Sequence, residues 1–183
     1  MQGTGADRRK RLILEIASLI LLILLITLDQ LTKAYFKRVI PQNGDIDVVK
    51  NFFYFTYTVN TGAAWSFLAG VSWAQTFFKI LTAVALILFV FFYLYASKKG
   101  YQWLRFALIL VIGGTVGNFI DRLLINGVTD FIGFQFGSYF FPIFNLADSF
   151  LCVGVIMMVV HFLFLDENAV FKKKDGNEEK TNG

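Results

Sequence analysis

The stretch LILEIASLILLILLITLDQL, residues 12–31, decides the class of protein to which this chain belongs. A helix of this length is about 30 Å long, which matches the hydrocarbon core of a bilayer. Three further stretches are long and apolar enough to cross it, at residues 77–96, 103–124 and 143–165. The sequence therefore predicts an integral membrane protein, mainly α-helical, with four transmembrane helices.

The composition is that of a membrane protein and not of a soluble domain. Hydrophobic residues make up 56% of the chain and charged residues only 16%, whereas soluble domains carry about 25% charged residues. The formal net charge of +4 comes from basic residues at segment ends, so we expect no nucleic-acid partner. We predict a single membrane domain over residues 1–171 and a disordered tail over residues 172–183.

Basic residues gather in three regions, which successive membrane crossings place on one side. They are Arg8, Arg9, Lys10 and Arg11 at the start, Lys98, Lys99 and Arg105 around the loop between helices two and three, and Lys172, Lys173, Lys174 and Lys180 in the tail. The positive-inside rule assigns these regions to the cytoplasm. The sequence thus predicts that both termini are cytoplasmic and that the other two loops face outward.

The two outward-facing segments have distinct patterns. In an outer β region at residues 41–72, residues 53–59 alternate large apolar side chains with tyrosine or threonine. This period of two predicts a strand of a small extracytoplasmic β-sheet, which ends at a turn beginning with Asn60. The second segment, residues 125–145, is rich in phenylalanine and predicts an aromatic outer loop at the membrane–water boundary.

Three aspartates inside the predicted helices share one depth. Asp29, Asp121 and Asp148 lie 17 or 18 residues from the inner ends of their helices (12 to 29, 103 to 121, 165 to 148), about 26 Å above the inner boundary. Each ionisable group in a bilayer costs about 2.5–3.5 kcal/mol on insertion scales. Other polar residues expected at this level are Lys33, Asn60, Asn118, Arg122, Asp130 and Asn145. We therefore predict a functional site near the outer surface.

The residue types at this level restrict the chemistry to carboxylates. The chain has one histidine, His161, and one cysteine, Cys152, so we expect neither a multi-histidine metal site nor a cysteine–histidine nucleophile. The sequence has no Gly-x-Ser-x-Gly motif of the kind that marks a serine nucleophile. Accordingly, no metal and no cofactor are expected.

A pair of close carboxylates can share one proton and hydrolyse an amide. The ionised member takes a proton from water, and the protonated member donates to the carbonyl. Asp148 is the first choice, because no cation neighbours it in sequence, and Asp121 is the poorest, because adjacent Arg122 would keep it ionised. The residues alone leave the partner of Asp148 open between Asp29 and Asp130.

Five short motifs occur in order along the chain: DQLTK at 29–33, NTGAA at 60–64, GNFIDR at 117–122, GVTDF at 127–131 and FNLADS at 144–149. In these motifs the chain resembles the lipoprotein signal peptidases, also called signal peptidase II. The resemblance extends from the first helix to the fourth. One departure is Thr129, at a position where the family usually has valine.

The resemblance implies an aspartic endopeptidase with a catalytic dyad of Asp130 and Asp148. The implied substrate-binding or supporting residues are Asp29, Lys33, Asn60, Gly62, Asn118, Asp121, Arg122 and Asn145. The implied substrate is a prolipoprotein that carries diacylglycerol on a cysteine and is cut on the N-terminal side of that cysteine. Membrane lipid and globomycin-type inhibitors are further implied partners. A monomer in the bacterial cytoplasmic (inner) membrane, with its active site facing outward, is expected.

Two other functions compete with this one. Intramembrane carboxylates also form relays in proton-coupled transporters, but a relay should place acids at several depths. Here the acidic residues collect at one level, and the only acidic residue in the inner parts of the predicted helices is Glu15. A structural subunit without catalysis would tolerate charge-neutral replacement of the aspartates.

Overall fold

The computed structural model describes residues 5–62 and 70–166. Its long helices are α1 (Gly5–Val39), α2 (Ala74–Lys99), α3 (Gln102–Ile125) and α4 (Leu146–Val160), which a π-helical turn continues (His161–Leu165). These four helical spans are long and apolar enough to cross a membrane, which confirms the predicted fold class. The predicted tail at residues 172–183 and the last two residues of the NTGAA motif lie outside the described residues.

Helix α3 is the central helix of the bundle. It packs against α1, α2 and α4. In its most apolar 18-residue segment 61% of the residues are buried, whereas the corresponding share is 11% in α1 and 6% in α2. Glycines on α3 permit this close packing: a Cβ atom at Gly113 would lie 3.2 Å from the side chain of Leu25 on α1. The outer helices therefore expose most of their apolar surface, as is expected of helices that face lipid.

Four antiparallel strands form one sheet in the order β1-β2-β3-β4. They are β1 (Asp45–Val49), β2 (Phe53–Asn60), β3 (Val128–Phe136) and β4 (Tyr139–Phe140). Strands β3 and β4 come from the segment that the sequence predicted as an aromatic loop. Its aromatic residues pair across strands, since Phe134 lies opposite Phe53 and the two rings stack at 5.0 Å.

Aromatic stacking fixes the sheet on the outer end of α1. The ring of Phe36 on α1 stacks on Phe131 of β3 and packs against Phe55 of β2, each with a centroid distance of 4.5 Å. The segment leading into α4 joins the other side of β3, because Phe131 and Ile132 donate backbone hydrogen bonds to the carbonyl of Phe144. These contacts bring β3, and with it Asp130, beside the start of α4.

The acidic residue of the inner half, Glu15, has a specific partner. Arg105 of α3 approaches it at 3.2 Å, and Tyr93 and Ser97 of α2 donate hydrogen bonds to it. The exposed fraction of Arg105 is only 4%, so the pairing compensates a charge that would otherwise be costly in this environment. The network joins three helices at the inner end of the bundle.

Candidate active site

The structure brings together the polar residues that the sequence placed at one depth. Lys33 is at the centre of the cluster: its Nζ lies 2.8 Å from Asp29 Oδ2 and 3.4 Å from Asp121 Oδ2. The same Nζ donates to Asn118 Oδ1 at 3.0 Å. Asp29 is fully buried, and Lys33 and Asp121 are nearly so. One lysine thus balances two buried carboxylates.

Arg122, which was expected to keep Asp121 ionised, forms no ion pair with it within 4 Å in the described residues, although the two charges act on each other. The cation that contacts Asp121 is Lys33, from another helix, while the Arg122 guanidinium lies over the ring of Phe78 and donates to the backbone carbonyl of Asn118. The physical reason is helix geometry, because neighbouring residues in a helix point in different directions.

Asp29 and Asp121 have structural partners behind the cluster. Asp29 Oδ1 accepts from the backbone N–H of Ala147 at 3.0 Å, in the first turn of α4, where backbone donors lack helical partners. Asp121 Oδ2 accepts from the backbone N–H of Thr129 at 2.8 Å. Close approach of Asp29 to α3 requires Gly117, because a Cβ atom there would lie 2.5 Å from Asp29 Oδ2. Asp29 thus connects α1 to α4, and Asp121 connects α3 to β3.

A residue that the sequence analysis did not single out completes this layer. Gln30 Nε2 lies within hydrogen-bond distance of Asp29 Oδ2 at 3.1 Å, of the Gly117 carbonyl at 3.1 Å and of Asp121 Oδ1 at 3.3 Å. Its place in the DQLTK motif, next to an intramembrane aspartate, was the available signal.

Asp130 and Asp148 instead face an open cleft of about 1130 Å³. The cleft also contains Asn60, Gly62, Asn118 and Arg122 of the predicted site, whereas Asp29, Lys33 and Asp121 are not among its lining residues. The lower walls come from Thr82 on α2, Thr115 on α3 and residues 149 and 151–153 on α4, and residues 140–144 border the outer part. Asp130 and Asp148 therefore line the same cleft, and Asp29 does not.

Asn145 connects the two cleft carboxylates. Its Nδ2 donates to Asp130 Oδ1 at 2.7 Å, and its Oδ1 accepts from the backbone N–H of Asp148 at 2.9 Å. Asp148 Oδ2 in turn accepts from the Asn145 N–H at 3.1 Å, which makes a capping box at the start of α4. The spacing Asn-x-x-Asp before an apolar run is the sequence signal for this cap.

In two more asparagines, hydrogen bonds to the side-chain oxygen direct the NH₂ group toward a carboxylate of the cleft. Asn118 Oδ1 accepts from Lys33 Nζ and from Asn145 Nδ2, which leaves its Nδ2 to donate to Asp148 Oδ1 at 2.7 Å. Asn60 Oδ1 accepts from the backbone N–H of Gly62 at 2.9 Å, and the Asn60 side chain hydrogen-bonds Asp130. Because an amide has one oxygen and one NH₂ group, engaging the oxygen turns the NH₂ group toward the carboxylate.

The environment of Asp130 favours its protonated form. Burial raises the pKa of Asp130 to about 7, and the charge of Asp148 contributes in the same direction. Hydrogen bonds from Asn145 and Asn60 and the charge of Lys33 partly oppose this rise in pKa. At neutral pH a substantial fraction of Asp130 therefore carries a proton. Within the described ranges, 5–62 and 70–166, no three His, Cys, Asp or Glu side chains are grouped so as to hold a metal ion.

Known proteins share both the sequence and the fold. Residues 21–164 match the family described as Signal peptidase (SPase) II. The lipoprotein signal peptidase of Bacillus pumilus is 42% identical over 144 residues, covering 79% of this chain and 90% of the relative. That of Bacillus subtilis strain 168 is 42% identical over 153 residues, covering 84% of this chain and 95% of the relative.

Two solved structures described as bacterial membrane enzymes, determined by the in meso method, have the same architecture. One, at 2.3 Å resolution, is 34% identical with a TM-score of 0.71 and covers 87% of this chain and 94% of its own. The other, at 1.9 Å, is 35% identical with a TM-score of 0.69, covering 82% and 94%. The chain belongs to the signal peptidase II family, the lipoprotein signal peptidases.

Proposed function

We propose that the chain is a membrane aspartic endopeptidase that removes signal peptides from diacylglyceryl-modified prolipoproteins. It would cut on the N-terminal side of the lipidated cysteine. The observation that carries the proposal is that Asp130 and Asp148 face one cleft and are joined through Asn145, which hydrogen-bonds both. Family membership supplies the class of substrate.

The proposed reaction uses one shared proton. Asp148, as the ionised member, takes a proton from water while the oxygen of that water attacks the scissile carbonyl carbon. Protonated Asp130 donates a hydrogen bond to the carbonyl oxygen as negative charge develops there. The proton on Asp148 then passes to the leaving nitrogen, the C–N bond breaks, and the cysteine gains a free amine while the signal peptide gains a carboxyl group. The asparagine NH₂ groups hold both carboxylates in place without supplying a competing proton acceptor.

The shape of the cleft supports entry of the substrate from the membrane. Its lower walls are formed by Thr82 of α2, Thr115 of α3 and Val153 of α4, which all lie within the candidate membrane-spanning helices. A signal-peptide helix would lie there in the bilayer, and the acyl chains on the cysteine that follows it would remain in the hydrocarbon. The distribution of basic residues supports a topology in which the termini are cytoplasmic and the cleft lies at the outer face. Extended peptide would pass below the outer sheet, where β2 residues 58–60 line the cleft.

The direct test is mass spectrometry of a synthetic lipidated prolipoprotein peptide after incubation with the purified protein. We expect a single cut immediately before the diacylglyceryl cysteine. The same peptide without its lipid serves as the matched control and should be cut far more slowly, because its cysteine is not held at the membrane surface. A cut at another bond, or equal cleavage of the unlipidated peptide, would contradict the proposal.

The protonation of Asp130 predicts the alkaline limit of activity. Since the raised pKa of Asp130 is about 7, its proton is present below that pH and is lost as the pH rises through it. We expect kcat/KM to fall about tenfold per pH unit above roughly pH 7. Initial rates with the lipidated peptide between pH 5 and 9 measure this limb, and parallel thermal unfolding at each pH separates it from loss of the fold. A rate that stays constant to pH 9 would show that a proton on Asp130 is not needed.

A further inference from the structure

An aromatic ring contacts Arg122, a cationic residue that lines the cleft. The Arg122 guanidinium of α3 lies 5.7 Å from the ring centroid of Phe78 on α2, within the range of a cation–π interaction. Phe78 is buried, with 7% of its surface exposed, while Arg122 itself borders the cleft. Among the described residues that line the cleft, Arg122 is the only lysine or arginine.

The other contacts of Arg122 are weak. Its hydrogen bond within the described part of the chain is a long one of 3.4 Å from Nη1 to the Asn118 carbonyl, and its buried Nε has no partner there. The charges of Asp148 and Asp130 act on it, but the ion pairs within 4 Å in residues 5–62 and 70–166 do not include it. Within the described residues, the ring of Phe78 and this one long hydrogen bond are thus the contacts that position the guanidinium.

We propose that Phe78 is a positioning residue that holds Arg122 over the cleft, where the guanidinium binds backbone carbonyls of the substrate peptide. The inference rests on the proposed peptidase function and deepens it. Arginine has five N–H donors, and here most of them have no protein acceptor in the described residues, so peptide carbonyls next to the scissile bond can take them. Without the ring, the guanidinium could turn toward Asp148 and Asp130 and hold both of them ionised, which would remove the shared proton.

The position of Phe78 also links α2 to the reaction. Thr82, one turn further along α2, lines the cleft and donates its hydroxyl hydrogen bond to the Phe78 carbonyl. A signal-peptide helix that packs against this part of α2 would therefore touch the same helical turn that carries the ring. Such a helix would thus contact the same short segment of α2 that positions Arg122.

Stepwise fluorination of the Phe78 ring tests the proposal. Fluorine withdraws electron density from the ring face and weakens the cation–π interaction, while the ring changes little in size. We expect kcat/KM for the lipidated peptide to fall progressively with 4-fluoro-, 3,5-difluoro- and 3,4,5-trifluorophenylalanine at position 78. The total fall should be about two- to thirty-fold, the range that a lost cation–π interaction allows.

Phe77 provides the matched control, because it is the next residue on α2 and 44% of its surface is exposed. The same fluorinated residues at position 77 should leave kcat/KM unchanged. A flat series at position 78, or an equal fall at both positions, would overturn the role of Phe78. Such a result is distinct from failure of the proposed function, in which the unmodified protein does not cut the lipidated peptide at all. A ring that only fills space would give a flat series, since fluorination preserves its shape.

Discussion

Replacement of Asp148 or Asp130 by asparagine should lower kcat for the lipidated peptide by about 10²- to 10⁴-fold or more, with the protein still folded and inserted. Positioned acid–base groups contribute factors of this size to amide hydrolysis. Asparagine has the same shape as aspartate but can neither accept the proton of the attacking water nor share one with its neighbour. Cleavage by the purified variants, measured at pH 6 to 7 against the parent protein, decides the outcome.

The fold should survive both replacements for reasons that the local contacts supply. At position 148, an asparagine oxygen can still accept from the Asn145 N–H, so the cap of α4 remains. At position 130, the parent carboxyl has a pKa raised to about 7 against about 3.9 for an unfolded aspartate. The folded state therefore binds the proton more tightly than the unfolded state, and the parent loses stability as the pH rises between these two values. Asp130→Asn removes this loss, so its melting temperature should vary less between pH 5 and 8 than that of the parent.

Exposed acids of the outer sheet are the controls. Asp45→Asn and Asp47→Asn lie on β1, whose residues are all exposed, and should keep activity within about twofold, as surface replacements usually do. Near-parental turnover by Asp148→Asn would refute the dyad.

Membrane energetics explain why so much of this fold could be predicted. Four apolar stretches of the right length leave few alternatives to four helices. Charges in the bilayer are expensive, so Asp29, Asp121 and Asp148 had to meet partners, and counting along the helices was enough to predict their common level. Asp29 and Asp121 do meet at Lys33, and Asp148 is linked to the same lysine through Asn118.

The direction of each side chain could not be predicted in the same way. Depth along a helix follows from counting residues, but the face that a residue presents depends on how the helices pack. For this reason the contact between Lys33 and Asp121 was not predicted, and Asp29 could not be separated from Asp130 by physical argument. The structure turns Asp29 toward the start of α4 and Asp130 toward the cleft.

Strand β3 was missed because its pairing is non-local. Phe53 and Phe134 are opposite each other in the sheet, although the whole of α2 and the whole of α3 separate them in sequence. The alternation in residues 53–59 was visible, whereas residues 128–136 contain phenylalanines on both faces and a glycine under the ring of Tyr54. Aromatic density alone indicated a membrane boundary and did not indicate a strand.

The replacement Lys33→Met should destabilise the protein by about 3–5 kcal/mol, the range found when one partner of a buried ion pair is removed. Lys33 has 3% of its surface exposed, and its Nζ contacts Asp29 at 2.8 Å and Asp121 at 3.4 Å. Without it, two buried carboxylates lose their shared cation. Thermal unfolding in detergent should show a large drop in melting temperature. Lys37→Met, one turn further along α1 and exposed, is the matched control and should unfold like the parent.

A double variant separates the two effects of Lys33. Asp29→Asn removes one of the carboxylates that need the lysine, and an asparagine oxygen can still accept from the Ala147 N–H. Asp29→Asn with Lys33→Met should therefore recover part of the lost stability.

Activity of the double variant should respond differently, because the charge of Lys33 also lowers the pKa of Asp130. In the double variant that pKa rises, so the alkaline limb of kcat/KM should move to higher pH. If the alkaline limb of kcat/KM stays at the parental pH, the role of Lys33 is limited to holding the helices together. If the double variant recovers no stability, Lys33 acts mainly through contacts other than that with Asp29.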